Sequence, residues 1–148
     1  MAGEFAKFNK EITRADLDQA WRDRLDDATT LDVGGRHGTA IAYRLYALEI
    51  YLKHRICLRL DIPHPLKKLE IHDLESLLVF SGLSAALYSL PASHPVALNW
   101  TRLTDLSTRL NDLRYMPALT WTAAQSADSA RWLEHPTEGV LSWLAKQP

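Results

Sequence analysis

The chain has 148 residues, of which 47% are hydrophobic, and it carries a formal net charge of −1 and one cysteine. This length and apolar content predict a folded domain with a buried core and exclude a disordered tail. The near-neutral charge argues against a general polyanion binder. Cys57 has no partner for an internal disulfide, which is compatible with a reducing compartment.

The sequence shows no hydrophobic run of the length that targeting or membrane insertion requires. The first 17 residues contain no apolar stretch of signal-peptide length, and no window of about 18 uncharged apolar residues occurs. We therefore expect a soluble, cytoplasmic protein that does not span a membrane.

A first helix is predicted from Thr13 to about Thr29. Thr13 and Asp16 have the spacing of an N-terminal capping box, and apolar residues recur behind them at helical intervals. The run 29–35 favours a loop, because the paired glycines at its end cost helix stability.

The longest helical pattern covers residues 38–60, and its two apolar ridges suit a central helix with several neighbours. Its arginines Arg44, Arg55 and Arg59 fall within about a 60° sector of a helical wheel. Such a row of guanidiniums is suited to binding phosphate groups through paired hydrogen bonds. The alternative is a solvated edge that pairs with acidic residues of the first helix, namely Asp16, Asp23, Asp26 and Asp27.

Shorter helices are predicted in the second half of the chain. His72-Asp73 is expected to cap a helix over 74–80 that ends at Gly82, and Ser93 is expected to cap a later, longer helix. No segment shows the alternation of a strand, so the pattern predicts an all-α, up-and-down helical bundle of about five to seven helices. The remaining predicted helices cover 83–90, 93–113, 122–134 and 138–146.

The residue inventory does not favour a metal centre or a cofactor. No two of the six histidines have the one-turn spacing of a helical zinc site, and one cysteine cannot form a thiolate cage. His72-Asp73 is interpreted as capping structure rather than as a ligand pair. Gly34-Gly35 lacks the lysine that follows the glycines of a phosphate-binding loop.

Three pieces of the chain together resemble the HEPN domain of prokaryotes: AYRLYALEIYLK at 42–53, HDL at 72–74 and LRY at 113–115. The resemblance covers about 38–145, with 1–33 as an added N-terminal helix and loop. It implies a bundle of about four or five helices that commonly pairs as a homodimer. The family includes metal-independent RNases of toxin–antitoxin and phage-defence systems, and non-catalytic partners of nucleotidyltransferases.

Nucleolytic members of this family use an arginine and a histidine about four to six residues apart near a helix end. Arg114 stands where that arginine is expected, but no histidine follows at the required distance. The resemblance therefore implies a non-catalytic binding or partner module whose ligand is a nucleotide, RNA or a nucleotidyltransferase. Arg114 and Tyr115 are the expected binding residues, together with the basic face of Arg44, Arg55 and Arg59.

Two alternatives remain open from the residues. The first is a metal-independent RNase toxin in which Arg114 acts with a histidine recruited in space, either His72 or His135. Histidine would then move the proton of a 2′-hydroxyl and arginine would stabilise the charge that develops on the phosphorus oxygens. The second is a purely structural subunit of a larger complex.

Overall fold

The computed structural model describes residues 11–148, and within them the fold is all-α, as predicted, with no strand. Residues 1–10 lie outside the described residues, and the expectation about a signal segment falls largely on them. Two short 3₁₀ turns, Lys67–Leu69 and Ala118–Thr120, lie between the helices. The eight α-helices are α1 Arg14–Val33, α2 His37–Leu60, α3 Leu74–Ser81, α4 Ser84–Tyr88, α5 Pro95–Thr108, α6 Leu110–Tyr115, α7 Ala123–Glu134 and α8 Val140–Leu144.

Helix α1 begins as predicted and ends later than predicted. Thr13 Oγ1 accepts from the Asp16 N–H at 3.1 Å and Asp16 Oδ2 accepts from the Thr13 N–H at 2.8 Å, which confirms the capping box. The helix continues past Thr29 to Val33, because contacts with α2 stabilise its last turns. The chain turns only at the paired glycines, where Gly35 has a φ of 74° that suits glycine.

Helix α2 lies at the centre and packs against α1, α3, α6 and α7. Burial of each large aliphatic side chain of this helix contributes roughly 1.5–3 kcal/mol to folding. Its first turn approaches the chain after α6 closely, since a Cβ added at Gly38 would lie 2.7 Å from Cδ1 of Trp121. The fully buried large side chains of α2 are Ile41, Leu48, Leu52 and Ile56.

Helix α3 has the two ends that the sequence predicts. Asp73 Oδ2 accepts from the Ser76 N–H at 2.9 Å, and Gly82 ends the helix in the left-handed conformation with a φ of 81°. The helix also anchors α5, because Glu75 Oε1 accepts from the indole N–H of Trp100 at 2.8 Å.

The predicted helix over 93–113 is two helices, which gives eight α-helices in the described residues rather than five to seven. The break falls at Arg109, with φ −101° and ψ 18°. Hydroxyls of the preceding turns, among them Ser107 and Thr108, donate to carbonyls three residues back and so compete with the α-helical ladder. The N-cap is His94, not Ser93, because the His94 Nδ1 accepts from the N–H of Val96 at 3.2 Å.

His54 makes the α1–α2 interface sensitive to pH. Its side chain is 13% exposed, and its Nδ1 lies 3.9 Å from Asp18 Oδ1 without a hydrogen bond. Burial lowers the pKa of His54 because it disfavours the imidazolium, and this outweighs the opposing effect of Asp18. The unfolded chain, with a pKa near 6.5, therefore takes up this proton before the folded chain does.

We expect the contribution of His54 to be complete above pH 6.5 and to be lost as the pH falls from 6.5 through the lower pKa of the folded protein. Urea unfolding at about pH 7.5 and about pH 5.5 measures the change in the free energy of unfolding. His54→Gln should lose less stability between the two conditions than the wild type does. An equal loss in both proteins would contradict the prediction.

Candidate functional site

A cleft of about 510 Å³ lies between α1, α2 and α6, beside the segment that leads into α3. We call it the Arg–His cleft. This volume is within the roughly 300–1,000 Å³ that small-molecule sites occupy. Its lining residues are Arg24, Tyr46, Glu49, Ile50, His72, Leu110, Asn111 and Arg114.

Arg114 enters the cleft from the last turn of α6. Its Nη2 donates to Tyr46 Oη at 3.3 Å. Hydrogen bonding to Tyr46, and to a smaller extent to Tyr115, raises the pKa of the guanidinium. No carboxylate of residues 11–148 lies within ion-pair distance of it. The exposed charge of Arg114 is thus available to a ligand, and Tyr115 beside it is exposed as well.

Glu49 holds His72 at the edge of the cleft. Glu49 Oε1 lies 2.9 Å from Nδ1 of His72, and the same oxygen accepts from Nζ of Lys53 at 2.8 Å. The Glu49 side chain is only 12% exposed, so it is a fixed support, whereas His72 is exposed. A carboxylate at Nδ1 favours the tautomer that carries the proton there and leaves Nε2 as the basic nitrogen.

The three arginines of the long helix do not form one basic face. Arg44 is 4% exposed, and its guanidinium pairs with Asp32 Oδ2 and donates to Ser126 Oγ at 2.7 Å. Arg44 is therefore a core residue and its assignment to a binding face was wrong. The partner is Asp32 of α1 rather than any of the four acidic residues proposed from the sequence, because α1 continues to Val33 and carries Asp32 alongside α2.

Arg55 and Arg59 lie together, but away from the Arg–His cleft. They line a smaller cavity with residues that follow α3. On an ideal helix Arg55 is about 180° around α2 from Tyr46, so the two sites use different faces of that helix.

His135 does not share the cleft with Arg114. It follows α7, where its Nδ1 accepts from the N–H of Glu138 at 3.2 Å and from that of Thr137 at 3.4 Å. This histidine caps the turn between α7 and α8. Of the two histidines considered as partners of Arg114, His72 is the one that the fold places in the same cleft.

Four polar or charged residues of the cleft, in addition to its apolar lining, were not singled out as site residues from the sequence. Tyr46 and Glu49 lie within the run that carries the family resemblance, so their presence there was a usable signal. Arg24 and Asn111 had no such signal, because they come from helices whose neighbours only the fold reveals. Arg24 also pairs with Asp27 at 3.0 Å.

Residues 11–148 offer neither a metal site nor a membrane-spanning helix. No group of three or more His, Cys, Asp or Glu side chains there is arranged to hold a metal ion. None of the described helices has the length and apolar character needed to cross a bilayer.

Comparison of the chain with models of protein families, with curated proteins and with solved structures found no match.

Proposed function

We propose that the Arg–His cleft binds a phosphate of RNA or of a nucleotide, and that the chain acts as a HEPN-like binding module. The observation that carries the proposal is the meeting of Arg114 and His72, which are far apart in the chain, in one cleft. The three sequence pieces that resemble the HEPN domain each supply a residue to this cleft, and this supports the family reading.

The chemistry of the lining suits a phosphodiester. A charged guanidinium without a carboxylate partner gives the strongest kind of hydrogen bond to phosphate oxygens. The rings of Tyr46 and the exposed Tyr115 offer surfaces on which a base can stack. The amide of Asn111 adds a donor and an acceptor for a base or sugar edge.

A partner surface adjoins the cleft in this proposal. Tyr115 at the end of α6, and Met116 and Leu119 after it, are exposed large side chains, and a second copy of the chain or a nucleotidyltransferase would cover them. A toxin–antitoxin or phage-defence role in the cytoplasm belongs to the same proposal. Light scattering tests the homodimer, and a monomer at micromolar concentration would contradict it.

Metal-independent RNA cleavage is the second candidate, and the hydrogen bond that His72 Nδ1 donates to Glu49 Oε1 favours it. His72 Nε2 would take the proton of a 2′-hydroxyl, and that oxygen would attack phosphorus to form a 2′,3′-cyclic phosphate. The 5′-oxygen would leave as a hydroxyl with a proton from water. Arg114 would stabilise the charge on the phosphorus oxygens. His72 and Arg114 are the catalytic residues in this reading, with Glu49 as a positioning residue.

Binding is tested with a fluorescein-labelled single-stranded RNA in an anisotropy titration at fixed, low salt. We expect Arg114→Ala to weaken binding about tenfold or more, because a charge-assisted hydrogen bond to phosphate is lost. Arg131→Ala is the matched control, since Arg131 is exposed on α7 and pairs with Asp128. Equal affinities of the two variants for the RNA would refute the cleft as the binding site. A wild-type protein that binds neither RNA nor nucleotides would favour the alternative of a structural subunit.

Cleavage is tested by incubating the same RNA with purified protein in EDTA. A binding module leaves the RNA intact. Cleavage that is lost in both Arg114→Ala and His72→Ala but kept in His135→Ala would contradict the binding-module proposal and support the RNase proposal. Cleavage that survives Arg114→Ala would exclude Arg114 from the reaction.

A further inference from the structure

A second guanidinium, that of Arg24, lines the Arg–His cleft together with that of Arg114. Arg24 comes from α1 and Arg114 from α6, and both of these helices pack against α2. The resemblance to the HEPN domain begins at about residue 38, so it does not cover Arg24. This arginine is therefore a feature that the added N-terminal helix brings to the cleft.

Arg24 keeps hydrogen-bond donors that are free for a ligand. Asp27 of the same helix pairs with its Nη2 at 3.0 Å, and this leaves the N–H groups of Nη1 to other partners. The Asp27 side chain is nearly half exposed, so water screens the ion pair and it holds Arg24 only weakly. A guanidinium in this state can form charge-assisted hydrogen bonds to phosphate oxygens.

Two tyrosine rings of α2 connect the two guanidiniums and keep them apart. The Arg24 guanidinium lies 5.5 Å from the ring centre of Tyr43, and the ring centres of Tyr43 and Tyr46 are 5.8 Å apart. Arg114 donates to the hydroxyl of Tyr46 at 3.3 Å. Two charges held apart in this way suit two phosphates with a nucleoside between them better than the directly joined phosphates of a nucleoside diphosphate.

We propose that Arg24 binds the phosphate next to the one at Arg114, so that the cleft takes two consecutive phosphates of a single RNA strand. The base between these phosphates can stack on Tyr46, which lines the same cleft. Arg24 is then a specificity-determining residue, because it favours an internal stretch of a strand over a mononucleotide. This role rests on the proposed function, since Arg114 must hold the neighbouring phosphate.

The test compares short ligands as competitors of the fluorescein-labelled RNA at fixed, low salt. ApApA carries two phosphates with a nucleoside between them, ApA carries one phosphate, and ADP carries two without a spacer. The wild type should bind ApApA about tenfold more tightly than ApA or ADP. Arg24→Gln should bind ApApA about tenfold more weakly than the wild type does and should leave the affinity for ApA nearly unchanged.

Arg22→Gln is the matched control, and it should bind all three ligands as the wild type does. Arg22 also lies on α1, pairs with an aspartate of its own helix and lies over an aromatic ring, but it does not line the cleft. Arg24→Lys guards against a folding defect, because it keeps the charge and loses the planar fork. It should bind ApApA more weakly than the wild type does, and circular dichroism confirms the fold of each variant.

The salt dependence of binding to the labelled RNA counts the phosphate contacts directly. Arg24→Gln should make the slope of log K against log[salt] shallower by about 0.7, the contribution of one phosphate of a single strand. Arg22→Gln should leave this slope unchanged.

Three results would overturn the inference. If Arg24→Gln behaves like Arg22→Gln while Arg114→Ala weakens RNA binding, the second phosphate is not at Arg24 and the proposed function stands. If ADP binds as tightly as ApApA, the cleft does not select a strand. If RNA binding is unchanged in Arg114→Ala, the proposed function itself fails and the role of Arg24 fails with it.

Discussion

Replacement of Arg44 by methionine is expected to lower the free energy of unfolding by about 3 kcal/mol, the lower end of the range for a broken buried ion pair. The buried guanidinium ties α1 to α7, since it pairs with Asp32 and donates to Ser126 and Ser129. Methionine keeps most of the volume but leaves Asp32 without its cation. The loss is not larger because Asp32 keeps hydrogen bonds from His37 and Ser126.

Asp32→Asn is the complementary change and should cost about 3–5 kcal/mol, because it leaves Arg44 charged and buried. The nearest remaining carboxylate oxygen, Glu134 Oε2, is 3.8 Å from Arg44 Nε. Urea unfolding followed by circular dichroism measures both variants, with Arg131→Met as the exposed control. In a double variant the losses should be less than additive. A loss below about 1 kcal/mol in Arg44→Met would contradict the structural role.

Trp100→Ala is expected to destabilise the fold by about 3–5 kcal/mol, as is usual for truncating a buried indole. Trp100 is 2% exposed on α5, and its N–H donates to Glu75 of α3, so the variant loses both packing and a charge-assisted hydrogen bond.

Trp100→Phe separates the two contributions, because it keeps most of the ring packing and removes the N–H donor. Its cost should lie at the lower end of the roughly 1.5–3 kcal/mol of a hydrogen bond to a charged group, because Tyr88 still donates to Glu75. The same urea titration ranks the two variants. Equal losses for Ala and Phe would mean that the hydrogen bond, rather than the packing, dominates at this position.

Local chemistry explains which parts of the fold the sequence predicts well. The capping box of Thr13 and Asp16, the cap of Asp73 and the left-handed end at Gly82 depend on residues within one or two turns. The all-α class follows from periodicity in the same way. The end of α1 was misplaced because contacts with α2, including the ion pair between Asp32 and Arg44, stabilise its last turns, and a local pattern does not reveal them.

Long-range packing explains what the sequence could not predict. A helical wheel gives the direction of Arg44, Arg55 and Arg59 but not what lies opposite them, and Asp32 turned out to lie opposite Arg44. The sequence could not show which histidine is the partner of Arg114 for the same reason. The direction of α6 depends on the break at Arg109, and only the packed fold shows that His72, and not His135, lies in the cleft with Arg114.

The buried network of Arg44 also bears on how the chain folds. Asp32 and Ser126 are separated by 94 residues, yet their side chains meet directly and share the same guanidinium. The α1–α2 pair alone would hold Arg44 with one carboxylate and without the two serine oxygens of α7. We therefore expect the docking of α7 to strengthen the contact between α1 and α2, because it adds two serine oxygens around the same guanidinium. A chain cut before α7 should keep the ion pair between Asp32 and Arg44 and lose the hydrogen bonds to Ser126 and Ser129.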